Sequence, residues 1–209
     1  MSAATSFFTS RQEFVKEVLG RFPAGKERSA VLPLLHEVQR LERKVSGERI
    51  SEIAGITGMT PTEVYGVMSF YPHFTEQEVG ETHILLCQTL TCALLGADRL
   101  ADRLVQGLGI APGETSADGK VSLAKAECLG ACYGGPVLQL WRTGPDSPHG
   151  EREAVYLERV TARVCDRLIA ALKDGRDWEA ELAGQASKPG RSPGEPLPFD
   201  DGELVGEGR

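Results

Sequence analysis

Apolar residues near the start of the chain recur at the spacing of one helical face. Phe14, Val18 and Phe22 lie four residues apart with polar residues between them, which is typical of an amphipathic helix. Ser10 and Glu13 have the spacing of a capping box, in which each side chain accepts a hydrogen bond from a backbone N–H. We therefore predict a first helix that Ser10 caps.

A second stretch with helical periodicity covers about residues 27–44. Its apolar face is formed by Val31, Leu34, Leu35, Val38 and Leu41. Pro33 falls inside this stretch and lacks a backbone N–H, so it is compatible with a helix only in the first turn. The two segments together predict that the chain begins with packed helices.

The next segment, SEIAGITGMTPTEVYGVMSFY, predicts two short helices joined by a turn. Ser51 is suited to cap the first helix, and Gly58 is suited to end it in a left-handed conformation. Thr60 and Glu63 have the spacing of a second capping box. Pro61 then fits the first position of the second helix, where its missing N–H is not needed.

The order helix, glycine turn, helix has two interpretations. A DNA-binding helix-turn-helix would need Lys or Arg on its second helix to contact phosphates and bases. The second helix, EVYGVMSFY, contains neither residue, which favours a packed helical hairpin over a metal-binding transcriptional regulator.

From His83 onward the pattern changes to short apolar runs separated by turn residues. The segments HILLC, KVSLAKAEC, GGPVLQLW and AVYL predict strands, and the polar loop GPDSPHGERE precedes the last of them. One helix is predicted from about Cys92 to Leu108 and another over VTARVCDRLIAALK. Strands mixed with two helices indicate a small α/β or α+β domain.

We accordingly predict the α/β (α+β) fold class and three parts. Residues 1–80 form an N-terminal helical bundle, and residues 81–175 form the mixed domain. Residues 176–209 are rich in Pro, Gly and acidic residues, so we expect an extended or disordered tail.

Composition narrows the possible functions. The chain has 209 residues, of which 41% are hydrophobic, and a formal net charge of −7. This charge disfavours nucleic acid as the main partner, because phosphates attract basic surfaces. We find neither a run of 18 apolar residues nor the pattern of a secretory signal, so we expect a cytosolic chain without membrane insertion. Thiols in that compartment stay reduced.

Four of the five cysteines form two close pairs. Cys87 and Cys92 lie in CQTLTC, and Cys128 and Cys132 lie in CLGAC. Two pairs far apart in sequence are typical of a four-ligand metal site where two loops converge. We expect Cys92 to open a helix, whose free N–H groups would favour the thiolate, and we expect Thr89 and Thr91 to donate from their hydroxyls.

We favour an iron–sulfur cluster as the group that these four cysteines bind. Three other chemistries compete with this interpretation. Structural zinc is the main alternative, although its ligands usually follow C-x2-C spacing rather than the C-x4-C and C-x3-C found here. Two disulfides would suit a secreted chain. A thioredoxin-type redox pair would need C-x-x-C, which the sequence lacks.

Cys165 has a separate explanation. It lies beside Leu168 and Ile169 on the apolar side of the last predicted helix, so we expect a small buried hydrophobe rather than a ligand. The sequence also has no GxGxxG for a dinucleotide and no GxxxxGK[ST] for phosphates. We therefore predict no catalytic residue and no NADH or flavin site on this chain.

The spacing of these motifs resembles a known family. CQTLTC with Gly96 four residues on, then GETSADGKVSLAKAECLGAC followed by GGPV, resembles the thioredoxin-like [2Fe–2S] ferredoxin subunit of respiratory complex I, the NADH-quinone oxidoreductase. The stretches RSAVLPLLHEVQ and IAGITGMTPTEVYGVMSFYPHF resemble the helical N-terminal domain of that family. The resemblance covers about residues 10–175.

The resemblance implies a thioredoxin-like [2Fe–2S] ferredoxin domain behind the helical bundle. Cys87 and Cys92 would hold one iron, and Cys128 and Cys132 the other. The chain would dock on the flavin- and NADH-binding subunit, beside the larger iron–sulfur subunit, with FMN and NADH bound only by the partner. Its cluster would accept or store one electron off the main cluster chain, at the cytoplasmic side of the cell membrane.

The same module resembles subunits of NAD-dependent formate dehydrogenases and bidirectional hydrogenases, so the parent complex stays open. A free-standing ferredoxin of this fold would not need the N-terminal helices. Two segments depart from the family pattern: the loop GPDSPHGERE, which is longer than the expected tight turn, and the acidic tail.

Overall fold

The fold is described from a computed structural model of the chain. It describes residues 6–144, 154–184 and 186–187. Contacts within the chain divide it into two compact units. One comprises Met1–Glu78 with Thr143–Arg152, and the other comprises Val79–Arg142 with Glu153–Arg209.

The first unit is helical. Its α-helices are α1 (Gln12–Gly20), α2 (Val31–Glu42), α3 (Gly47–Thr57) and α4 (Pro61–Phe70), and short 3₁₀ turns at Thr9–Arg11 and Glu27–Ala30 precede α1 and α2. Their apolar faces meet in one core, whose fully buried residues include Val18, Leu34, Leu35, Val38, Ile53 and Val64. Pro33 lies in the first turn of α2, as predicted.

The start of α1 differs from the prediction. The chain first makes the 3₁₀ turn Thr9–Arg11, so Ser10 lies inside that turn and not at the helix boundary. Its hydroxyl donates to the Phe7 carbonyl at 3.2 Å and does not cap α1. The predicted capping box of Ser10 and Glu13 is therefore wrong.

Of the predicted caps of α3 and α4, one is wrong and two are confirmed. Ser46, not Ser51, caps α3 by accepting from the Arg49 N–H, while the Ser51 hydroxyl donates to the Gly47 carbonyl within the helix. Gly58 ends α3 in the left-handed conformation with a φ of 67°, as predicted. The capping box of Thr60 and the acid three residues later is confirmed at α4.

The second unit is built on a six-stranded mixed sheet. Its strands are β1 (Thr82–Cys87), β2 (Glu114–Thr115), β3 (Val121–Ala126), β4 (Leu138–Arg142), β5 (Val155–Leu157) and β6 (Ala186–Ser187). They lie in the order β2-β3-β1-β4-β5-β6. β1 and β3 pair in parallel, and the remaining pairs are antiparallel. The predicted α/β (α+β) fold class, with a helical part followed by a domain of strands and helices, is confirmed.

Helices pack on this sheet in a single core. They are α5 (Leu90–Leu94), α6 (Ala97–Leu108), α7 (Ala162–Lys173) and α8 (Trp178–Glu181). The sequence predicted one helix from Cys92 to Leu108, but Gly96, with a φ of 92°, separates α5 from α6. The apolar pattern runs through this break, which is why periodicity alone missed it.

The second unit also extends further than its sequence pattern indicates. The predicted tail begins at residue 176, yet Trp178 is 2% exposed and packs in the sheet core with Leu182. The Trp178 indole N–H donates to the Thr82 hydroxyl at 3.1 Å. The described residues exclude two predicted segments. These are the tail beyond residue 184, apart from residues 186–187, and the loop beyond Gly144.

None of the helices in the described ranges combines the length and the apolar character needed to span a membrane.

Candidate metal centre

Cys87 and Cys92 are held by the end of β1 and by the helix that follows. Cys87 is the last residue of the strand, as predicted, and is 2% exposed. Cys92 is 1% exposed and is the third residue of the five-residue helix α5, so it does not open the long helix that the sequence predicted. This first pair of thiols is therefore buried against the sheet core.

Cys128 and Cys132 lie on the connection between β3 and β4. This loop position was predicted, and both residues are exposed. Cys132 begins a 3₁₀ turn that ends at Gly134. The Sγ atoms of Cys128 and Cys132 are 3.8 Å apart.

The parallel pairing of β1 with β3 brings the two pairs to one end of the sheet. Cys87 is in register with Ala126, two residues before Cys128. The Cys87 Sγ lies 3.5 Å from the Glu127 carbonyl oxygen, and the thiol of Cys132 interacts electrostatically with that of Cys87. The sheet topology thus converts two distant sequence motifs into one cluster of thiols.

Hydrogen-bond donors surround the sulfur atoms. The Thr89 hydroxyl lies 3.3 Å from the Cys87 Sγ, as the sequence predicted, and the Gly130 N–H donates to the Cys128 Sγ at 3.4 Å. Gly130 has a φ of 75°, which a glycine adopts without strain and which turns its N–H toward the sulfur. Such contacts disperse negative charge on thiolate sulfur.

The thiols differ in their acidity. Burial raises the pKa of Cys87, but hydrogen bonds from Thr89 and from the Leu129 N–H outweigh burial and lower the pKa overall. Burial and then the hydrogen bond with Cys87 raise the pKa of Cys92 to about 12. The predicted acidifying effect of a helix start at Cys92 is therefore not observed, because the thiol is buried and α5 is short. Metal binding would displace these protons.

Two glycines make room for this cluster of thiols. A Cβ at Gly135 would lie 3.0 Å from the Leu95 Cδ1 and 3.5 Å from the Cys92 Sγ. A Cβ at Gly134 would lie 2.6 Å from an oxygen of Glu158. A side chain at Gly135 would press on Leu95 and Cys92, and one at Gly134 would press on Glu158, so the GG pair after Cys132 serves close packing.

The donor set fits a two-iron cluster. Four thiols are present in two pairs, and the sulfur atoms of the second pair are 3.8 Å apart. A [2Fe–2S] cluster takes two thiolates per iron and completes each coordination shell with its own sulfides. The cradle of N–H and hydroxyl donors also suits cluster sulfur.

The chain matches the thioredoxin-like [2Fe-2S] ferredoxin family over residues 15–173. It belongs to this family. The predicted resemblance is thereby confirmed, and the [2Fe–2S] cofactor agrees with the thiols described above. The match includes the helical unit as well as the sheet unit.

Several relatives carry the name of one respiratory complex. NADH-quinone oxidoreductase subunit 2 of Thermus thermophilus is 42% identical over 86% of this chain and 93% of its own length. An NADH-quinone oxidoreductase subunit from Rhizobium meliloti is 35% identical over 73% of this chain and 86% of its own length. The corresponding NADH-quinone oxidoreductase subunit from Mycobacterium bovis is 37% identical over 79% of this chain and 71% of its own length.

A solved structure has a similar fold. A chain of an air-oxidised NAD+-reducing [NiFe]-hydrogenase superposes with a TM-score of 0.57 at 18% identity. The alignment covers 76% of this chain but only 25% of the hydrogenase chain. At this identity the likeness concerns the fold alone.

Cys165 lies in a different element from the four paired cysteines, as predicted. It is fully buried in the core face of α7, and burial raises its pKa to about 12. A thiol of this kind is a small apolar side chain without redox or ligand chemistry.

The sequence analysis did not identify several residues that lie near the four paired cysteines. Leu90 and Leu94 on α5 are 74% and 76% exposed, and Tyr133, next to Cys132, is 59% exposed. Glu158, which follows β5, is buried against the second cysteine loop. The aromatic residue in GACYGG was a visible signal, whereas no local pattern connects Glu158 with a cysteine loop 26 residues earlier.

Proposed function

We propose that this chain is the [2Fe–2S] electron-transfer subunit of an NADH-quinone oxidoreductase. Cys87 and Cys92 hold one iron, and Cys128 and Cys132 hold the other. The observation that carries the proposal is that the two thiol pairs lie at the same end of the paired strands β1 and β3. The 42% identity to the Thermus thermophilus subunit over 86% of the chain supports the parent complex.

The residues of the chain fit a one-electron carrier. When bound, a cluster of this type gains or loses one electron at a potential that its protein surroundings set. The donors Thr89 and Gly130 hold the sulfur atoms in place. The buried pair of thiols anchors the cluster in the fold, while the exposed pair faces outward, which leaves a short route for an electron to a docked partner.

Exposed apolar residues lie close in sequence to the site cysteines. In the described part of the chain, five large hydrophobic side chains are exposed, and three of them, Leu90, Leu94 and Tyr133, lie within two residues of a site cysteine. Exposed apolar groups that cluster beside a redox site are typical of a docking surface. We assign this surface, Leu90 with Leu94 and Tyr133, to a protein partner.

The partner we propose is the flavin- and NADH-binding subunit, next to the larger iron–sulfur subunit. The chain's own sequence offers no dinucleotide or phosphate motif, so we place FMN and NADH on that partner. The chain then contributes to NADH oxidation as an electron acceptor or store off the main cluster chain. The complex would hold it at the cytoplasmic side of the cell membrane.

A subunit of an NAD+-reducing hydrogenase is the second candidate. A chain of such an enzyme has a similar fold, with a TM-score of 0.57, but at 18% identity this likeness concerns the fold alone. The relatives that are 35–42% identical carry the quinone oxidoreductase name, which favours the first candidate. The two candidates share the cluster and differ in the proteins that accompany the chain.

Affinity purification of the tagged full chain from its native cells, without oxygen, tests the proposal. We expect a flavin protein that oxidises NADH to co-purify, and we expect added NADH to produce the EPR signal of a reduced [2Fe–2S] cluster. A quinone-reducing assembly would support the first candidate, and a nickel protein would support the second.

A surface variant sharpens this test. Leu90→Ser combined with Leu94→Ser should reduce the recovered flavin at least tenfold and leave the iron content of the chain unchanged. Gln88→Ala, an exposed polar neighbour on the same segment, should change neither quantity. Full recovery of flavin with the double variant, or no flavin protein with the unchanged chain, would contradict the proposed partner.

A further inference from the structure

A buried carboxylate lies behind the second cysteine loop. Glu158 directly follows β5 and is 2% exposed. The Tyr133 hydroxyl, one residue after Cys132, donates to the Glu158 Oε1 at 3.4 Å. Acidic side chains are among the least often buried, so a carboxylate at this depth beside a redox site is a notable placement.

The segment that carries Glu158 is fixed to the cysteine loop by its backbone. The Arg159 N–H donates to the Gly134 carbonyl at 2.6 Å, and the Val160 N–H donates to the Pro136 carbonyl at 3.0 Å. Gly134 packs so closely on Glu158 that a Cβ there would lie 2.9 Å from the Glu158 Cβ. Glu158 therefore keeps a constant position relative to Cys132.

The region around Glu158 is withdrawn from water. Glu158 itself is 2% exposed, and Tyr156, two residues earlier, is half-buried and accepts a hydrogen bond from the Gln139 Nε2 at 2.8 Å. Charges that are withdrawn from water interact more strongly than exposed charges and are screened less by salt. A carboxylate at Glu158 should therefore act on any electron added to the cysteine site.

We propose that Glu158 lowers the reduction potential of the [2Fe–2S] cluster through its negative charge. The inference rests on the proposed function, since it requires the cluster at the four cysteines. Reduction adds one negative charge to the cluster, and a fixed carboxylate nearby makes that addition less favourable. Glu158 lies behind the Tyr133–Gly134 segment and acts through its charge, so it is a tuning residue and not a ligand.

A redox titration of the cluster-loaded full chain, followed by the EPR signal of the reduced state, tests this inference. Glu158→Gln removes the charge and nearly preserves the shape. We expect the reduction equilibrium to shift about tenfold toward the reduced form, which corresponds to an increase of about 59 mV for one electron. Glu158→Asp keeps the charge and should stay closer to the unchanged chain than Glu158→Gln does.

Glu127→Gln is the matched control for charge removal. Glu127 precedes Cys128 in sequence but is exposed, so water screens its carboxylate. We expect its loss to shift the equilibrium much less than the loss of Glu158. Equal shifts for the two variants, or an unmoved potential in Glu158→Gln, would overturn the inference.

Tyr133→Phe keeps the test decisive if Glu158→Gln fails to retain a cluster. This variant removes the hydroxyl that disperses charge on the carboxylate, so the potential should fall, opposite in sign to Glu158→Gln. A potential that rises or stays constant would then contradict the inference. A full chain that binds no cluster at all would instead contradict the proposed function, which separates the two failures.

Discussion

Gly80 occupies a position at which β3 leaves no room for a side chain. A Cβ at this residue would lie 2.5 Å from the Val121 backbone nitrogen and 2.7 Å from the Lys120 carbonyl carbon. Backbone atoms of a central strand cannot move aside as a flexible side chain can. The Gly80 N–H also donates to the Ser122 hydroxyl at 2.5 Å, so the close approach serves a specific hydrogen bond.

We predict that Gly80→Ala lowers the free energy of unfolding by about 3 kcal/mol, because the added methyl must displace a strand. Gly55→Ala is the control, since Gly55 lies inside α3 and a Cβ added there would have nothing within 4 Å. Alanine has a higher helix propensity than glycine, so this variant should raise the free energy of unfolding by about 1 kcal/mol. Urea unfolding followed by circular dichroism measures both, and equal effects of the two substitutions would contradict the packing argument.

At the residue scale, sequence reasoning located the thiols but not their surroundings. Cys87 at a strand end, Cys128 and Cys132 on a loop, and the buried Cys165 lie where the sequence predicted them, whereas Cys92 lies inside a short helix and does not open the long one. Gly80 is the last residue of the predicted helical part, yet its close contact is with a strand about 40 positions later in the sequence. The acidity of Cys92 was misjudged for a similar reason, because burial depends on the packed fold and not on the local helix.

Helix caps show which local signals were sufficient. The capping box at Thr60 was predictable because both partners, the Thr60 hydroxyl and the Glu63 carboxylate, lie within four consecutive residues. The cap at Ser46 lacks that signature, since its third following residue is Arg49, whose guanidinium instead pairs with Glu42 and Glu52. The separation of α5 from α6 was equally hidden, because apolar periodicity continues across Gly96.

We predict different outcomes for the two serines of α3. Ser46→Ala removes the side chain that accepts from the Arg49 N–H, so the free energy of unfolding should fall by about 1 kcal/mol. Ser51→Ala removes only a hydroxyl that bonds back to the Gly47 carbonyl, and it should change the free energy by less than about 0.5 kcal/mol. Chemical denaturation measures both free energies of unfolding. A larger decrease for Ser51→Ala than for Ser46→Ala would indicate that Ser51 caps α3, as the sequence suggested.

At the scale of the whole molecule, composition predicted the helical and mixed parts but placed the end of the sheet unit too early. Trp178 was assigned to the tail because Pro, Gly and acidic residues dominate the sequence that follows it. Its indole reaches Thr82, 96 residues away, a contact that no local pattern records. The sheet order had the same limitation, since parallel pairing of β1 with β3 depends on a crossover.

The same pairing of strands underlies the function. The end of β1 and the following helix α5 supply a buried pair of thiols, and the neighbouring parallel strand leads into a loop that supplies an exposed pair. The central claim is that these four thiols, and not the fifth, hold a [2Fe–2S] cluster that carries one electron.

Visible and EPR spectra of the anaerobically purified full chain, with its iron and sulfide content, test this claim most directly. We expect a coloured protein with two irons and two sulfides per chain, and an EPR signal from one unpaired electron after reduction with dithionite. Cys92→Ser and Cys132→Ser should lose most of that signal, while Cys165→Ala should keep it. A colourless protein that contains zinc, or a cluster lost equally in Cys165→Ala, would show that the four paired thiols do not hold a [2Fe–2S] cluster.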